Sequence, residues 1–319
     1  WLAVADKFPD WKIWEQFVVD EQEYALDTDA SRGSHPIEVP IESPDMVDQV
    51  FDALSYEKGA CMIRMLENYV GSTAFRDGLR VYLRRHMYRN AETADLWRAI
   101  GEVSHVDVSP LMSSWTKHIG FPVLEFDAKQ NKLEQHRFLS SGDVKPEEDE
   151  HIWHIPLTAE AAGGGAGGGA GGDVSRLVMT TRTLQDPFKA LGVPESSKLN
   201  SKFMAMFRVA YTDSQFLEFA NAAGSGQMGV TDAMNVLSDV AALNTAGRMS
   251  VAVRCSIDCV SPLMPLSLAF SLVLPGRPTW SATSACPRPL GTTWACGNWL
   301  TKTSSPWYPC LRIPQSTQS

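Results

Sequence analysis

An α+β chain of several domains is what this sequence predicts, and the changing period of its apolar residues is the main reason. Apolar side chains recur at helical spacing over residues 1–121, alternate as in strands over 122–212, and return to helical spacing over 213–254. With 319 residues there is room for two or three domains. Hydrophobic residues make up 44% and charged residues 20%, a balance that can bury a sizeable core.

The elements follow in order. Pro44-Asp45 opens a helix in which Val47, Val50, Phe51 and Leu54 share one buried face. Met62, Ile63, Met65, Leu66 and Tyr69 mark the next, and Gly71 follows as its stop. Phe75, Leu79, Tyr82 and Leu83 form the apolar face of a third, with Arg76, Arg80, Arg84 and Arg85 directed elsewhere. Thr93 caps a fourth through Leu96, Trp97 and Ile100. Val108 to His118 gives a fifth, ended by Gly120.

Beyond Phe121-Pro122 the period shortens. Segments 123–126, 133–139, 152–157, 176–181 and 203–211 predict the short strands of a small antiparallel sandwich. Between two of them, the Gly/Ala run from Gly163 to Gly172 predicts a flexible hairpin loop. It lacks the Lys-Ser/Thr ending of a phosphate cradle and opens no helix. Phe216, Leu217 and Phe219 then begin a helix after Ser214, and Thr231 caps another through Met234, Leu237, Val240 and Leu243. Residues 255–319 are crowded with Ser, Thr, Pro, Cys and Trp and keep no amphipathic period. That composition predicts a frameshifted or unstructured tail rather than a cysteine-rich module.

Charge and cysteines narrow the function classes. The net charge of −9 argues against a nucleic-acid partner, which needs clustered Lys and Arg. No apolar run reaches the roughly 20 residues of a membrane helix. Cys61 stands alone ahead of Cys255, which fits a reducing compartment and predicts a cytoplasmic location. Cys255 and Cys259 have no second pair at metal spacing. Of the 7 histidines, His35, His86, His105, His118 and His136 are scattered without close-spaced partners. His151 and His154 flank Ile152-Trp153 on an expected strand and so point to opposite faces. No metal binding by this chain is expected.

The densest pattern lies between Ser34 and Leu66. It holds Ser34-His35-Pro36-Ile37, Phe51-Asp52-Ala53-Leu54-Ser55-Tyr56, Lys58-Gly59-Ala60 and Arg64-Met65-Leu66. Trp115-Thr116-Lys117 and Gly120-Phe121-Pro122 continue it, with weaker echoes at Lys198-Leu199-Asn200 and Phe207-Arg208-Val209. On these residues the chain resembles the M1 (gluzincin) zinc aminopeptidases, nearest their puromycin-sensitive branch, over about residues 1–250.

The resemblance implies the helical half of a thermolysin-like catalytic domain over 1–121, then a β-sandwich domain over 122–212. The start of a helical C-terminal domain over 213–254 would follow. It also implies an enzyme that removes N-terminal residues from peptides with a free N-terminus, using Zn2+ held by an HExxH helix and a downstream glutamate. Tyr56 matches the tyrosine of the family's S-Y-x-K-G-A motif, which donates a hydrogen bond to the tetrahedral oxyanion. Without the motif around it, Tyr56 would read as a half-buried packing residue. Gly59 and Ala60 are expected to serve close packing at a helix start, and Lys58 to lie on the surface or just behind the site.

Departures from the family are equally informative. Neither HExxH nor the G-x-M-E-N amine-binding motif occurs, and the third zinc ligand would fall before Trp1. The expectation is an internal fragment whose parent binds zinc and which is inactive alone. A non-catalytic peptide- or protein-binding module is the alternative. Ala205 stands where the family commonly has glycine, and either strains a turn or marks divergence.

Overall fold

The computed structural model describes residues 1–41, 43, 51–160 and 177–249. The helix start expected at Pro44, the Gly163–Gly172 run and the tail 255–319 lie outside the described residues. Helices α1 (Leu2–Lys7), α2 (Ile13–Phe17) and α3 (Glu23–Asp29) come first, with a π-helical turn, Val18–Gln22, fusing α2 to α3. A second π-turn, Leu54–Lys58, runs straight into α4 (Gly59–Val70). That helix stops where Gly71 takes φ +88°, a backbone that glycine alone adopts cheaply. Helices α5 (Ser72–Arg85), α6 (Thr93–Ser104) and α7 (Ser109–Thr116) complete the helical part.

Phe17, Leu26, Met62, Leu66, Ile100 and Trp115 meet in its core. Burying each such side chain stabilises the fold by roughly 1.5–3 kcal/mol.

Two residues placed on buried faces by their spacing are in fact exposed, Phe51 at 61% and Leu83 at 64%. For Leu83 the reason is Gly78. A Cβ on Gly78 would stand 2.8 Å from the Ile100 Cα, so the contact of α5 with α6 is centred there and not at the last turn. Gly78→Ala is accordingly expected to cost about 1–3 kcal/mol in a urea titration. A loss under about 0.5 kcal/mol would show that the two helices separate freely. The cap of α6 also moves by one residue: the Asp95 carboxylate accepts from the Glu92 N–H at 3.0 Å, so Glu92 and not Thr93 occupies the cap.

In the β region, β1 (Pro122–Asp127) and β2 (Lys132–Arg137) form an antiparallel pair in full register from Pro122↔Arg137 to Asp127↔Lys132. The next strands are short: β3 (Ile155–Pro156), β4 (Ala159–Glu160), β5 (Val178–Met179) and β6 (Thr183–Gln185). Helix α8 (Pro187–Leu191), β7 (Lys198–Leu199) and β8 (Arg208–Ala210) follow. The main sheet has the order β6-β2-β1-β8, and β3-β5 and β4-β7 are separate ladders. The expected purely antiparallel arrangement is corrected by β8, which lies parallel to β1. A parallel neighbour needs a long connection, and β8 returns to β1 only after the rest of the region.

The strand expected over 203–211 begins only at Arg208, because Asn200, Lys202 and Phe203 take φ of 57°, 57° and 53°. Ala205 is not among these left-handed residues. The Asn200 side chain brackets it, donating to its carbonyl at 2.8 Å and accepting from its N–H at 2.9 Å, so alanine strains no turn there.

Helices α9 (Asp213–Gly224) and α10 (Val230–Thr245) close the described part. Thr212 and Gln215 cap α9 reciprocally. Gly229 precedes α10, so Thr231 lies inside the helix instead of capping it. Met234, Leu237, Val240 and Leu243 form its buried face. Buried ion pairs tie α10 to the strands: Lys198 to Asp232 at 2.9 Å and Arg208 to Asp239 at 3.3 Å. The Asp239 carboxylate also accepts from the Val209 N–H at 3.2 Å.

Candidate active site

Tyr56 sits in the middle of the Leu54–Lys58 π-turn. A π-turn carries one more residue than an α-turn, which interrupts the packing rhythm and turns a side chain outward. Its two neighbours by spacing go inward, Leu54 at 3% exposed and Lys58 at 0%, while Tyr56 is 60% exposed. The phenol ring lies 6.2 Å from the Phe51 ring, and its hydroxyl makes no hydrogen bond to a described residue. Ile37, Glu38, Val39, Phe51, Ser55 and Tyr56 line an open cleft of about 530 Å³. A hydroxyl free of described partners thus belongs to a side chain that lines this open cleft.

The turn is held from both ends. At its start, the Asp52 carboxylate accepts from the N–H groups of Leu54 at 3.1 Å and Ser55 at 3.0 Å, and the Asp52 carbonyl accepts from the Tyr56 N–H at 3.0 Å. The other Asp52 carboxylate oxygen meets His35 Nε2 at 2.5 Å, and His35 Nδ1 faces the Pro36 carbonyl at 2.8 Å. Burial opposes a charge on His35, but the Pro36 and Asp52 hydrogen bonds outweigh it and raise its pKa. Burial likewise pushes Asp52 up, yet the Ser55 N–H and His35 hold its pKa below the usual carboxylate value.

At the end of the turn, Lys58 Nζ lies 2.8 Å from Asp29 Oδ2, both side chains being 0% exposed. It also donates to the carbonyls of Gly120 at 3.1 Å and His118 at 3.3 Å. Asp29 Oδ1 accepts from the Gly120 N–H at 2.9 Å and from the Ser34 hydroxyl. Gly120 has φ +79°, and a Cβ there would stand 2.9 Å from Arg137 Nε. Lys58 is therefore a buried strut behind the turn, which removes the surface alternative. Gly59 serves no close packing, since a Cβ on it would meet nothing within 4 Å.

The histidines are not all isolated in space. His118 and His151 stack with ring centroids 3.7 Å apart, and His151 Nε2 lies 2.9 Å from the Ser114 carbonyl. Burial lowers the His151 pKa to about 4, with His118, His154 and Lys58 adding to the effect. Burial, then Lys58 and Lys117, lowers that of His118 as well. Both rings are neutral at pH 7, which lets them stack. Residues 151–154 are not in a strand, so the opposite-face argument for His151 and His154 does not apply.

Among the described residues, no three His, Cys, Asp or Glu side chains converge where a metal ion could sit. These residues do not fit the zinc that the resemblance implies.

Sequence reasoning named Tyr56 as its candidate and did not name Asp29, His35 and Asp52 as the groups that hold the turn beneath it. Asp52, four residues before Tyr56, had a readable signal as a cap. Asp29 had none, because its partners come from three separate segments.

The peptidase family M1 domain matches residues 1–115. Aminopeptidase 2 of Candida albicans is 36% identical over 253 residues, which are 77% of this chain and 26% of that protein. The puromycin-sensitive aminopeptidase of Caenorhabditis elegans is 35% identical over 258 residues, 79% of this chain and 26% of that protein. Aminopeptidase M1 of Arabidopsis thaliana is 37% identical over 260 residues, 79% of this chain and 29% of that protein. The chain thus spans little more than a quarter of the length of these relatives. Through residues 1–115 and these relatives, the chain belongs to peptidase family M1.

Proposed function

We propose that this chain supplies the oxyanion-stabilising side of an aminopeptidase site, with Tyr56 as the hydrogen-bond donor. The observation that carries the reading is the outward-facing phenol on a braced π-turn beside the cleft, inside the region matched by the M1 domain. As the peptide carbonyl next to a free N-terminus becomes tetrahedral, charge gathers on its oxygen. A phenol O–H fixed in place bonds that oxygen more strongly than the uncharged carbonyl, so it stabilises the transition state selectively. The cleft beside it, lined by Ile37, Glu38, Val39 and Phe51, would take the adjoining substrate residues.

The zinc that the family resemblance implies would supply the attacking water, and it would be held by an HExxH helix and a downstream glutamate, neither of which this chain contains. The division into 1–121, 122–212 and 213–254 as catalytic, β and C-terminal helical domains is part of this reading. So is a reducing, cytoplasmic setting, in keeping with the buried free thiol of Cys61.

The test compares two preparations on aminoacyl p-nitroanilides. The full-length enzyme carrying this segment is expected to release p-nitroaniline in a zinc-dependent manner, and the 319-residue chain alone to match buffer. Zinc-dependent turnover by the chain alone would overturn the division of labour, and an inactive full-length protein would overturn the enzymatic reading.

A further inference from the structure

We propose that His35 and Asp52 form a charged clasp that fixes where the Tyr56 phenol stands, which makes both of them positioning residues for the oxyanion donor. The proposal rests on the reading of Tyr56 given above.

The ring of Tyr56 is held by little of its own. It is 60% exposed, its nearest aromatic contact is the 6.2 Å approach of Phe51, and its hydroxyl is free of described partners. Its position is therefore set by the backbone beneath it, and that backbone is a π-turn, a geometry rarely stable without outside support. Asp52 supplies the support with three acceptor contacts, to the N–H groups of Leu54, Ser55 and Tyr56.

Asp52 is aimed in turn by His35. Both ring nitrogens of His35 face acceptors, Pro36 O at 2.8 Å and Asp52 Oδ2 at 2.5 Å. Only an imidazolium can donate to both, so the clasp is an ion pair with fixed direction and not a neutral contact. The Ser34 hydroxyl, one residue away, is bonded to the buried Asp29 that pairs with Lys58 at the far end of the turn. Turn, loop and α3 are thus linked by polar contacts at both ends of the turn that carries Tyr56.

Displacing a catalytic group by about 1 Å can cost on the order of 100-fold in rate. A clasp that fixes the turn is accordingly worth a measurable factor in kcat without touching substrate.

A double-mutant cycle in the full-length enzyme separates positioning from general structural support. His35→Ala removes the group that aims the Asp52 carboxylate and is expected to lower kcat by about 10- to 100-fold with little change in KM. In a Tyr56→Phe background the same change is expected to lower kcat no further. An equal loss in both backgrounds would overturn the clasp, as would an unchanged kcat for His35→Ala beside a strongly impaired Tyr56→Phe.

A second readout does not depend on turnover. In the 319-residue chain carrying 3-fluorotyrosine at position 56, His35→Ala and Asp52→Asn should each shift and broaden the 19F resonance. An unchanged resonance in both variants would overturn the proposal. If Tyr56→Phe proves fully active, the oxyanion reading falls on its own, and the 19F result still decides whether the clasp positions the ring.

Discussion

Replacing Tyr56 by phenylalanine is expected to lower the kcat of the full-length enzyme by about 10²–10³ while KM changes by less than about threefold. The variant deletes one oxygen and keeps the ring that approaches Phe51. That oxygen bonds nothing among the described residues, so its removal strands no buried partner and leaves the turn intact. Exposed substitutions of this kind alter stability by about 0.5 kcal/mol or less. The whole effect should therefore fall on the step in which charge develops. Steady-state kinetics beside a thermal melt will check it: an unchanged kcat would remove the donor role, and a matching fall in Tm would reassign the loss to packing.

Asp29→Ala should produce the largest loss of stability, about 3–5 kcal/mol. Lys58 and Asp29 are both 0% exposed and lie 2.8 Å apart, so removing the carboxylate leaves a buried ammonium facing only the carbonyls of Gly120 and His118. The Gly120 N–H loses its acceptor in the same step, and the Ser34 hydroxyl keeps only the His35 carbonyl at 3.5 Å. Against a typical total of 5–15 kcal/mol, such a loss brings the fold close to its limit. Asp29→Asn keeps an acceptor for the Gly120 N–H and should lose less. Urea titrations of the two variants decide the matter, and a loss under about 1 kcal/mol for Asp29→Ala would mean that water reaches Lys58 after all.

Much of the helical part was legible because a single apolar stripe carries its own register. Met62, Met65 and Leu66 face the core of α4 as their spacing requires, and Gly71 stops that helix as its lack of a side chain allows. Leu83 misled for a reason no period contains: whether an apolar face is covered depends on where the neighbouring helix crosses, and Gly78 decides that. The β region was harder to read. Segments 152–157 and 176–181 pair over only two residues each, and β8 is delayed by three left-handed residues that composition does not mark.

The motif echoes beyond residue 115 acquire a physical reason in the fold. Gly120, Lys198 and Arg208 are each points of close approach or buried ion pairing, at Lys58, Asp232 and Asp239 respectively. At the site, the motif singled out Tyr56, whereas the clasp and the Lys58 strut depended on contacts between distant segments. Asp29 reaches Gly120 across most of the helical part, a pairing visible only once the chain is folded.

The affinity of the full-length enzyme for a phosphinic pseudodipeptide probes the oxyanion donor most directly, because its tetrahedral P–O⁻ stands where the oxyanion would form. Tyr56→Phe should weaken that inhibitor by about 10²–10³, in step with the fall in kcat/KM, while the KM of the matching substrate holds. An inhibitor bound equally well by both enzymes would contradict the assignment of Tyr56 as the oxyanion donor.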